Sequence, residues 1–285
     1  MCDHDSMNEL LPGALSRRDF GRIGLGAGLL AVLPGVVNAA EVTESEVNIK
    51  TPDGTCDAHF VHPAAGAHAG VLVWPDIFGL RPAFRAMGKR LAESGYAVLT
   101  VNPFYRQQKA PTSSGTSLEG DARQKLFGMM NSLTPEGEFS DARAFIAWLD
   151  AQKAVDTKKK LGTTGYCMGG PLVLRTAAAV PARVGAAATF HGAALTTKDA
   201  NSPHLQIAKS KASYLICIAD SDDQSDPTSK DILRKTFDDA KLPAEVEVYK
   251  GAQHGWCAID TRAYNKDLAE KAWARQLALF SKALA

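Results

Sequence analysis

The sequence predicts an α/β protein with one large domain, in which helices cover both faces of a mostly parallel β-sheet of about eight strands. The main observation is that short β-rich runs alternate with longer amphipathic runs from Glu46 onward, a pattern typical of such a sheet. The composition agrees, because 285 residues with 45% hydrophobic and 22% charged side chains can bury one sizeable core. No internal repeat or second block of composition indicates another domain.

The strands are predicted where short runs are rich in β-branched and aromatic residues. These runs are residues 47–51, 58–62, 70–75, 97–102, 160–166, 185–190, 214–219 and 245–250. Helices are predicted where apolar residues recur about every 3.6 positions, over residues 81–94, 140–152, 171–180, 228–241 and 265–284. Residues 107–120 carry Pro, Ser, Thr and Gly without periodicity, which predicts a surface loop near the strand ends.

The N-terminal segment has the features of an export signal. Arg17 and Arg18 precede an uncharged, glycine-rich stretch over residues 23–37, the pattern of a twin-arginine signal. The stretch is too short and glycine-rich to span a bilayer stably, and small residues precede the bond after Ala39. We therefore predict a signal over residues 1–39, the twin-arginine machinery as a partner of the precursor, and a periplasmic or secreted domain over residues 40–285. The alternative is an uncleaved anchor or a surface helix.

Charge and cysteine content exclude several classes of protein. The 32 basic and 31 acidic residues give a net charge of +1, and no long basic run is present to attract a nucleic acid. Of the five cysteines, Cys2 would leave with the signal, and the four that remain are too few for a disulfide scaffold in a domain of this size. We predict no cofactor and no metal.

The strongest motif is Gly-Tyr-Cys-Met-Gly-Gly at residues 165–170, between a predicted strand and a predicted helix. This is the form of a nucleophile elbow with Cys167 as the nucleophile, in which glycines are needed because the strained turn brings helix and strand close together. The helix N-terminus also favours the thiolate. The alternative is a buried structural cysteine beside a glycine-rich turn.

Chain order supports the elbow, because an acid and then a base follow the nucleophile at the ends of later strands in this type of site. Asp222 follows one predicted strand and His254, on a turn next to glycine, follows the next. We therefore predict Asp222 as the residue that orients His254, and His254 as the base. The other carboxylates of the same loop, Asp220, Asp223 and Asp226, are expected to be solvated or to cap a helix.

An oxyanion hole requires two backbone N–H groups. One is expected from Met168, directly after the nucleophile, and the other from Ile77, in the Pro-Asp-Ile-Phe-Gly turn at residues 75–79. The neighbouring Asp76 and Phe78 either border the substrate or are turn residues only.

Together, the turn at residues 75–79, the cysteine elbow, Asp222 and the His-Gly-Trp sequence beginning at His254 resemble the dienelactone hydrolase family, the carboxymethylenebutenolidases. The resemblance covers roughly residues 47–284. It implies an α/β-hydrolase fold, a Cys-His-Asp triad and a small-molecule ester or lactone as the substrate. Rival interpretations are a broad carboxylesterase or thioesterase, and a non-catalytic binding or thiol-redox protein on the same fold.

The resemblance also implies substrate-binding positions, with two departures. Family members carry Glu where this chain has Asp76, which leaves open whether the shorter carboxylate holds the resting thiol. They also carry a substrate-binding Arg where this chain has Ala258. Arg106 matches a second substrate arginine, unless it is an exposed loop residue. With Phe78 and Trp256, Asp76 and Arg106 complete the predicted substrate contacts.

Overall fold

The computed structural model describes residues 33–36 and 39–285. Its strands are β1 Val42–Thr51, β2 Gly54–Pro63, β3 Gly70–Trp74, β4 Ala97–Val101, β5 Leu161–Tyr166, β6 Val184–Phe190, β7 Ser213–Ala219 and β8 Ala244–Tyr249. They form one eight-stranded sheet in the order β1-β2-β4-β3-β5-β6-β7-β8. Strands β3 to β8 are parallel, and the β1–β2 hairpin is antiparallel at one edge. The predicted mostly parallel sheet is confirmed.

Two layers of helices cover the sheet. The helices are α1 Pro82–Glu93, α2 Gly120–Asn131, α3 Pro135–Asp150, α4 Gly169–Ala179, α5 Asp220–Ser225, α6 Ser229–Ala240 and α7 Lys266–Ala283, with a 3-10 helix over Pro203–Lys209. Helices α3, α4 and α6 bury their apolar faces in one core, and α1 and α7 bury theirs in a second core across the sheet. This arrangement is the α/β-hydrolase architecture that the resemblance implies.

The edge hairpin is longer than the sequence indicates. Strand β1 begins at Val42, and its pairing with β2 runs from Val42 opposite Pro63 to Thr51 opposite Gly54. Most β1 side chains are exposed, so the outer half of the strand has no hydrophobic alternation that a sequence pattern could reveal. Backbone pairing with β2 holds it in place.

The segment between β4 and α3 differs most from expectation. Residues 107–119 form the predicted loop, but α2 follows directly, where no helix is predicted. Helix α3 begins at Pro135, five residues earlier than expected, because Thr134 caps it by accepting a hydrogen bond from the N–H of Gly137 at 3.2 Å. Helix α2 joins neither helix layer and lies above the carboxyl ends of the strands.

The N-terminal residues that the structure describes lie against the domain. Leu33 packs on the core beside α1 and α7, and the N–H of Ala40 donates to the carbonyl of Glu93 at 3.0 Å. The predicted arginine pair, Arg17 and Arg18, falls outside the described residues. Among the described helices, none has the length and apolar character needed to cross a membrane.

Candidate active site

The parallel strands end at one edge of the sheet, where sites of this architecture form. Ile77 lies in the loop after β3, Cys167 directly after β5, and His191 directly after β6. Asp222 lies in α5, which begins at the end of β7, and His254 lies in the turn after β8. The topology therefore brings together residues that are far apart in the sequence.

The nucleophile elbow has the geometry that its glycines predict. Cys167 adopts a left-handed backbone with φ 51°, an unusual and strained conformation for a residue other than glycine. A Cβ on Gly165 would lie 2.4 Å from the carbonyl oxygen of Gly169, and a Cβ on Gly169 would lie 2.3 Å from that of Trp74. A side chain at Gly165 would force β5 and α4 apart, and one at Gly169 would force α4 away from the end of β3, so the sharp turn requires glycine on both sides of Cys167.

The predicted oxyanion donors flank Cys167. Met168 follows it in the elbow, and Ile77 begins the turn between β3 and α1; both residues are 4% exposed. The side chains of all three residues belong to one apolar cluster. Backbone N–H groups in such a water-poor setting interact strongly with a developing negative charge.

His254 is held from two sides. Its Nδ1 lies 2.9 Å from both carboxylate oxygens of Asp222, and its backbone N–H donates to the Ser221 hydroxyl at 2.9 Å. The N–H of Ser221 in turn donates to the carbonyl of Ala252. Helix α5 and the His254 turn are thus joined by hydrogen bonds, which fix the imidazole. Ser221 is a positioning residue that no sequence signal identified.

The neighbouring carboxylates have other partners. Asp220 accepts hydrogen bonds from Lys250 at 2.9 Å and from the N–H of Gly251, and Asp223 pairs with Lys230 at 2.6 Å. Asp226 accepts from the N–H and hydroxyl of Thr228 directly before α6. Asp220 and Asp223 are thus ion-paired and largely covered, unlike the solvated carboxylates expected, and Asp226 is exposed but precedes the N-cap residue Thr228. Asp222 alone of the four is paired with His254.

The charge state of His254 follows from its surroundings. Burial acts to lower the pKa of His254, but the charge of Cys167, the hydrogen bond to Asp222 and the hydrogen bond to Cys167 together outweigh it. The pKa of His254 is therefore well above its ordinary value. These surroundings favour the protonated form of the imidazole, which has the Asp222 carboxylate on one side and the Cys167 sulfur on the other.

A second histidine packs against the first. His191 is 1% exposed with φ 42°, and its ring meets those of His254 and Trp256 edge-to-face at centroid distances of 5.0 and 5.2 Å. Burial first, and then the positive charge of His254, hold the pKa of His191 well below its ordinary value, so the ring is neutral. The sequence analysis missed His191, although its place after a predicted strand was a signal.

Trp256 requires a correction. The sequence analysis assigned it to the substrate, but its side chain is fully buried and stacks on Tyr249 at a centroid distance of 5.2 Å. Trp256 therefore packs against the ring of His191, and no part of its side chain is exposed for contact with a substrate.

Asp76 also requires a correction. Its two oxygens accept hydrogen bonds from Arg81 at 2.5 and 2.9 Å, and one of them also accepts from the N–H of Phe78. Arg81 further donates twice to Asp260, at 2.8 Å each, and its guanidinium lies over the ring of Phe84 at 4.8 Å. Asp76 is 3% exposed. Asp76 is thus an ion-pair partner of Arg81, and its oxygens are bound by Arg81 and the N–H of Phe78 instead of the thiol of Cys167.

Arg106 is the third correction. Its guanidinium donates to both oxygens of Asp141, at 2.7 and 2.8 Å, and to Asp53 at 2.6 Å. Two carboxylates thus share one cation, so the predicted substrate role of Arg106 has no support. Ala258 is fully buried and offers no cation. Of the predicted substrate contacts, Phe78 remains, because it belongs to the apolar cluster around Cys167.

The other described cysteines are inert. Cys56, Cys217 and Cys257 are free and buried, and burial is the largest cause that raises the pKa of each thiol. Cys167 is free and only partly buried. Among residues 33–36 and 39–285, no group of His, Cys, Asp and Glu side chains is placed to hold a metal ion.

Comparison with known proteins identifies the family to which the sequence is similar. The model of the dienelactone hydrolase family matches residues 56–284. A carboxymethylenebutenolidase of Rhodococcus opacus is 28% identical over 257 residues, which are 87% of this chain and 96% of that protein.

Two solved structures share the fold. A dienelactone hydrolase-like promiscuous phosphotriesterase from metagenomic libraries superposes with a TM-score of 0.70 at 22% identity, over 86% of this chain and 99% of that one. The dienelactone hydrolase of Anabaena variabilis superposes with a TM-score of 0.61 at 16% identity, with the same coverage of 86% and 99%.

Proposed function

The chain belongs to the dienelactone hydrolase family, and we propose that it hydrolyses carboxylic esters or lactones through a thioester on Cys167. The observation that carries the proposal is the position of His254, whose Nδ1 lies 2.9 Å from Asp222 and whose ring lies beside Cys167; the raised pKa of His254 agrees with this arrangement. A histidine so placed supplies and receives protons at the sulfur and at the departing oxygen. Membership of the family supports a hydrolase. The catalytic roles of Cys167, His254 and Asp222 are part of the proposal.

In the proposed mechanism His254 takes the proton of Cys167, and the sulfur attacks the acyl carbon. The carbonyl oxygen becomes negatively charged and accepts hydrogen bonds from the N–H groups of Ile77 and Met168. The bond to the departing oxygen then breaks, and His254 returns its proton to that oxygen. A water molecule, which gives a proton to His254, attacks the thioester and releases the acid with the thiol restored.

The sulfur restricts which substrates react. A thiolate is itself a good leaving group, so the tetrahedral intermediate returns to substrate unless the departing oxygen leaves equally well. Enol lactones and aryl esters meet this condition, whereas amides and simple alkyl esters do not. We therefore infer that activated esters and lactones are the reacting class.

The charge of the site favours uncharged substrates. Arg81 and Arg106 each bind two carboxylates, and Ala258 stands where family members carry a substrate-binding arginine. A substrate carboxylate would thus lack charge-assisted partners, each of which contributes about 1.5–3 kcal/mol. The binding of neutral substrates does not depend on such partners and should be unaffected.

This preference is tested by the specificity constants for dienelactone and for a neutral lactone or aryl ester of equal leaving-group quality. We expect the neutral substrate to be preferred. A clearly higher specificity constant for dienelactone would contradict the inference and would direct attention to Arg123, whose guanidinium lies 4.7 Å from the ring centroid of Phe127 near Cys167.

The nucleophile is tested by substitution. Cys167→Ala should fold normally and lose hydrolysis by several orders of magnitude, as expected when a nucleophile is deleted. Retention of more than about a tenth of the activity would exclude Cys167. Cys167→Ser should also be poor, because a hydroxyl is a much weaker acid than a thiol, and equal turnover would indicate a serine-type site.

A thioester trapped from an aryl ester separates a hydrolase from a binding or thiol-redox protein, and the preference for lactones separates it from a broad esterase. A broad carboxylesterase or thioesterase would form the same intermediate without preferring lactones. A thiol-redox protein would need a second reactive cysteine near Cys167, yet Cys217 and Cys257 are buried thiols of raised pKa. A binding protein would release its ligand unchanged.

We also propose that the precursor is exported by the twin-arginine machinery, which would place the enzyme in the periplasm or outside the cell. The support is the sequence pattern at Arg17 and Arg18, with the glycine-rich stretch after it and the small residues before the bond after Ala39.

A further inference from the structure

The segment between β4 and α3 crosses the catalytic edge of the sheet, and residues 107–133 of it are called the cap here. Thr112 donates from its hydroxyl to the carbonyl of Phe78 at 3.1 Å, and Thr116 donates to the carbonyl of Asp260 at 3.1 Å. Phe78 follows the proposed oxyanion donor Ile77, and Asp260 lies six residues after His254. The cap is therefore fastened to both loops that flank the nucleophile.

Helix α2 of the cap turns its apolar side toward the nucleophile. Leu126 and Met129 are buried in a cluster with Ile77, Phe78, Phe104 and Met168, separate from the two cores of the sheet, and the Cys167 side chain packs against this cluster. Phe127 and Met130 pack there as well. The opposite side of α2 is exposed and polar, with Asp121, Gln124 and Lys125. The buried side of α2 therefore packs beside Cys167 and contributes to neither core of the sheet.

The position of the leaving oxygen in the proposed mechanism determines whether the acyl half or the alcohol half of a substrate contacts the apolar side of α2. The departing oxygen must lie within hydrogen-bond reach of His254, which protonates it. His254 is bordered by Asp222 and by the ring of His191. With the carbonyl oxygen at the N–H groups of Ile77 and Met168, the acyl group takes the remaining direction, away from His254. The cap contributes Leu126 and Met129 to the apolar cluster that packs against Cys167.

We propose that the apolar face of α2, with Met129 and Met130 at its centre, is the acyl-binding wall of this enzyme and selects substrates with an apolar acyl group. The inference rests on the proposed function and names the acyl side of its substrate. Methionine side chains are unbranched and adaptable, so the wall accommodates chains or rings of several shapes. Each methylene of the acyl group that reaches the wall raises the specificity constant about fourfold, which corresponds to ~0.8 kcal/mol.

The test is a series of p-nitrophenyl esters with acetyl, butyryl and hexanoyl groups, set against acetyl esters of phenols that carry alkyl chains of matching length. The wild-type enzyme should gain about fourfold per methylene on the acyl side. On the phenol side the gain should stay below about twofold per methylene, because that half lies away from the wall.

Substitutions in α2 locate the effect. Met129→Ala should lower the ratio of the specificity constant for the hexanoyl ester to that for the acetyl ester at least about tenfold. Met129→Leu, which keeps the apolar volume, should retain most of the dependence on acyl length. Gln124→Ala, on the exposed side of the same helix, is the matched control and should change neither. Because Met129 is buried, the half-buried Met130→Ala repeats the test in a variant whose folding is less at risk.

The outcomes separate this inference from the proposed function. An equal loss on acetyl and hexanoyl esters in both alanine variants, or a wild-type enzyme indifferent to acyl length, overturns the acyl wall while hydrolysis through Cys167 stands. If the wild-type enzyme hydrolyses none of the esters, or Cys167→Ala hydrolyses them equally well, the proposed function fails and the acyl wall fails with it.

Discussion

Replacement of Arg81 by methionine should destabilise the protein more than replacement of any arginine at its surface. Methionine keeps the apolar contact with Phe84 but removes both donors that Asp76 receives from the guanidinium. The Asp76 side chain is only 4% exposed, so water cannot replace those donors, whereas Asp260 is 24% exposed and can turn to solvent. Removal of one partner from a buried ion pair lowers the free energy of unfolding by about 3–5 kcal/mol.

The measurement is urea unfolding at neutral pH, followed by tryptophan fluorescence and analysed with the slope of the transition as well as its midpoint. Arg85→Met is the matched control, because Arg85 lies in the first turn of α1, which begins directly after Arg81, and pairs with Glu46, whose side chain is 61% exposed. A surface pair of this kind contributes less than about 1 kcal/mol. In the double variant Asp76→Asn/Arg81→Met no charge is left buried, and most of the lost stability should return.

The reasoning is refuted if Arg81→Met lowers the free energy of unfolding no more than Arg85→Met does, or if the double variant is as unstable as the single one. Either result would mean that Asp76 finds other donors, and the loop that carries Ile77 would then not depend on Arg81. If the prediction holds, hydrolysis by Arg81→Met should fall as well, since the same ion pairs join the Ile77 loop to the His254 loop.

Three further predictions concern the site and the signal. Because the pKa of His254 is raised in the folded protein, its contribution to the free energy of unfolding is fully present below the ordinary histidine pKa of about 6.5 and is lost as pH rises through the raised value. Cys167→Ala should lower that pKa, and an unchanged NMR titration of the imidazole would contradict the pairing. Ser221→Ala removes the acceptor of the 2.9 Å hydrogen bond from the backbone N–H of His254. We expect a several-fold lower kcat, little change in KM and a free energy of unfolding lower by about 1 kcal/mol. A rise in KM alone would contradict a positioning role for Ser221. Exchange of Arg17 and Arg18 for lysine should leave the precursor uncut in the cytoplasm, as fractionation with an antibody would report, and normal export would exclude the twin-arginine route.

The sequence predicted those parts of the fold whose causes are local. The parallel strands β3, β4 and β7 are buried on both faces, so they appear in the sequence as nearly continuous apolar runs between turn residues. The elbow was visible because its turn tolerates only glycine at residues 165 and 169. Strand β1 was seen only in part, because its stability comes from its partner strand and its own side chains are exposed.

Other features depend on contacts between distant residues. Arg81 and Asp260 are 179 residues apart, and nothing in either neighbourhood indicates that they pair. The same holds for Arg106 and Asp141, whose contact removed the substrate role expected for Arg106. Helix α2 escaped prediction because it contains Gly128 and packs on loops, so its buried positions are few and follow no regular core stripe.

The burial of the cysteines makes this protein suitable for active-site titration. In the described part of the chain Cys56 and Cys217 are completely buried and Cys257 is 6% exposed, whereas Cys167 is partly accessible and lies beside His254, whose pKa is raised. A chain that begins at Ala40 lacks Cys2 and should therefore consume one equivalent of an alkylating reagent while folded, and three more after unfolding. The first equivalent counts functional centres, so turnover can be expressed per competent molecule in any preparation, including one that contains inactive protein.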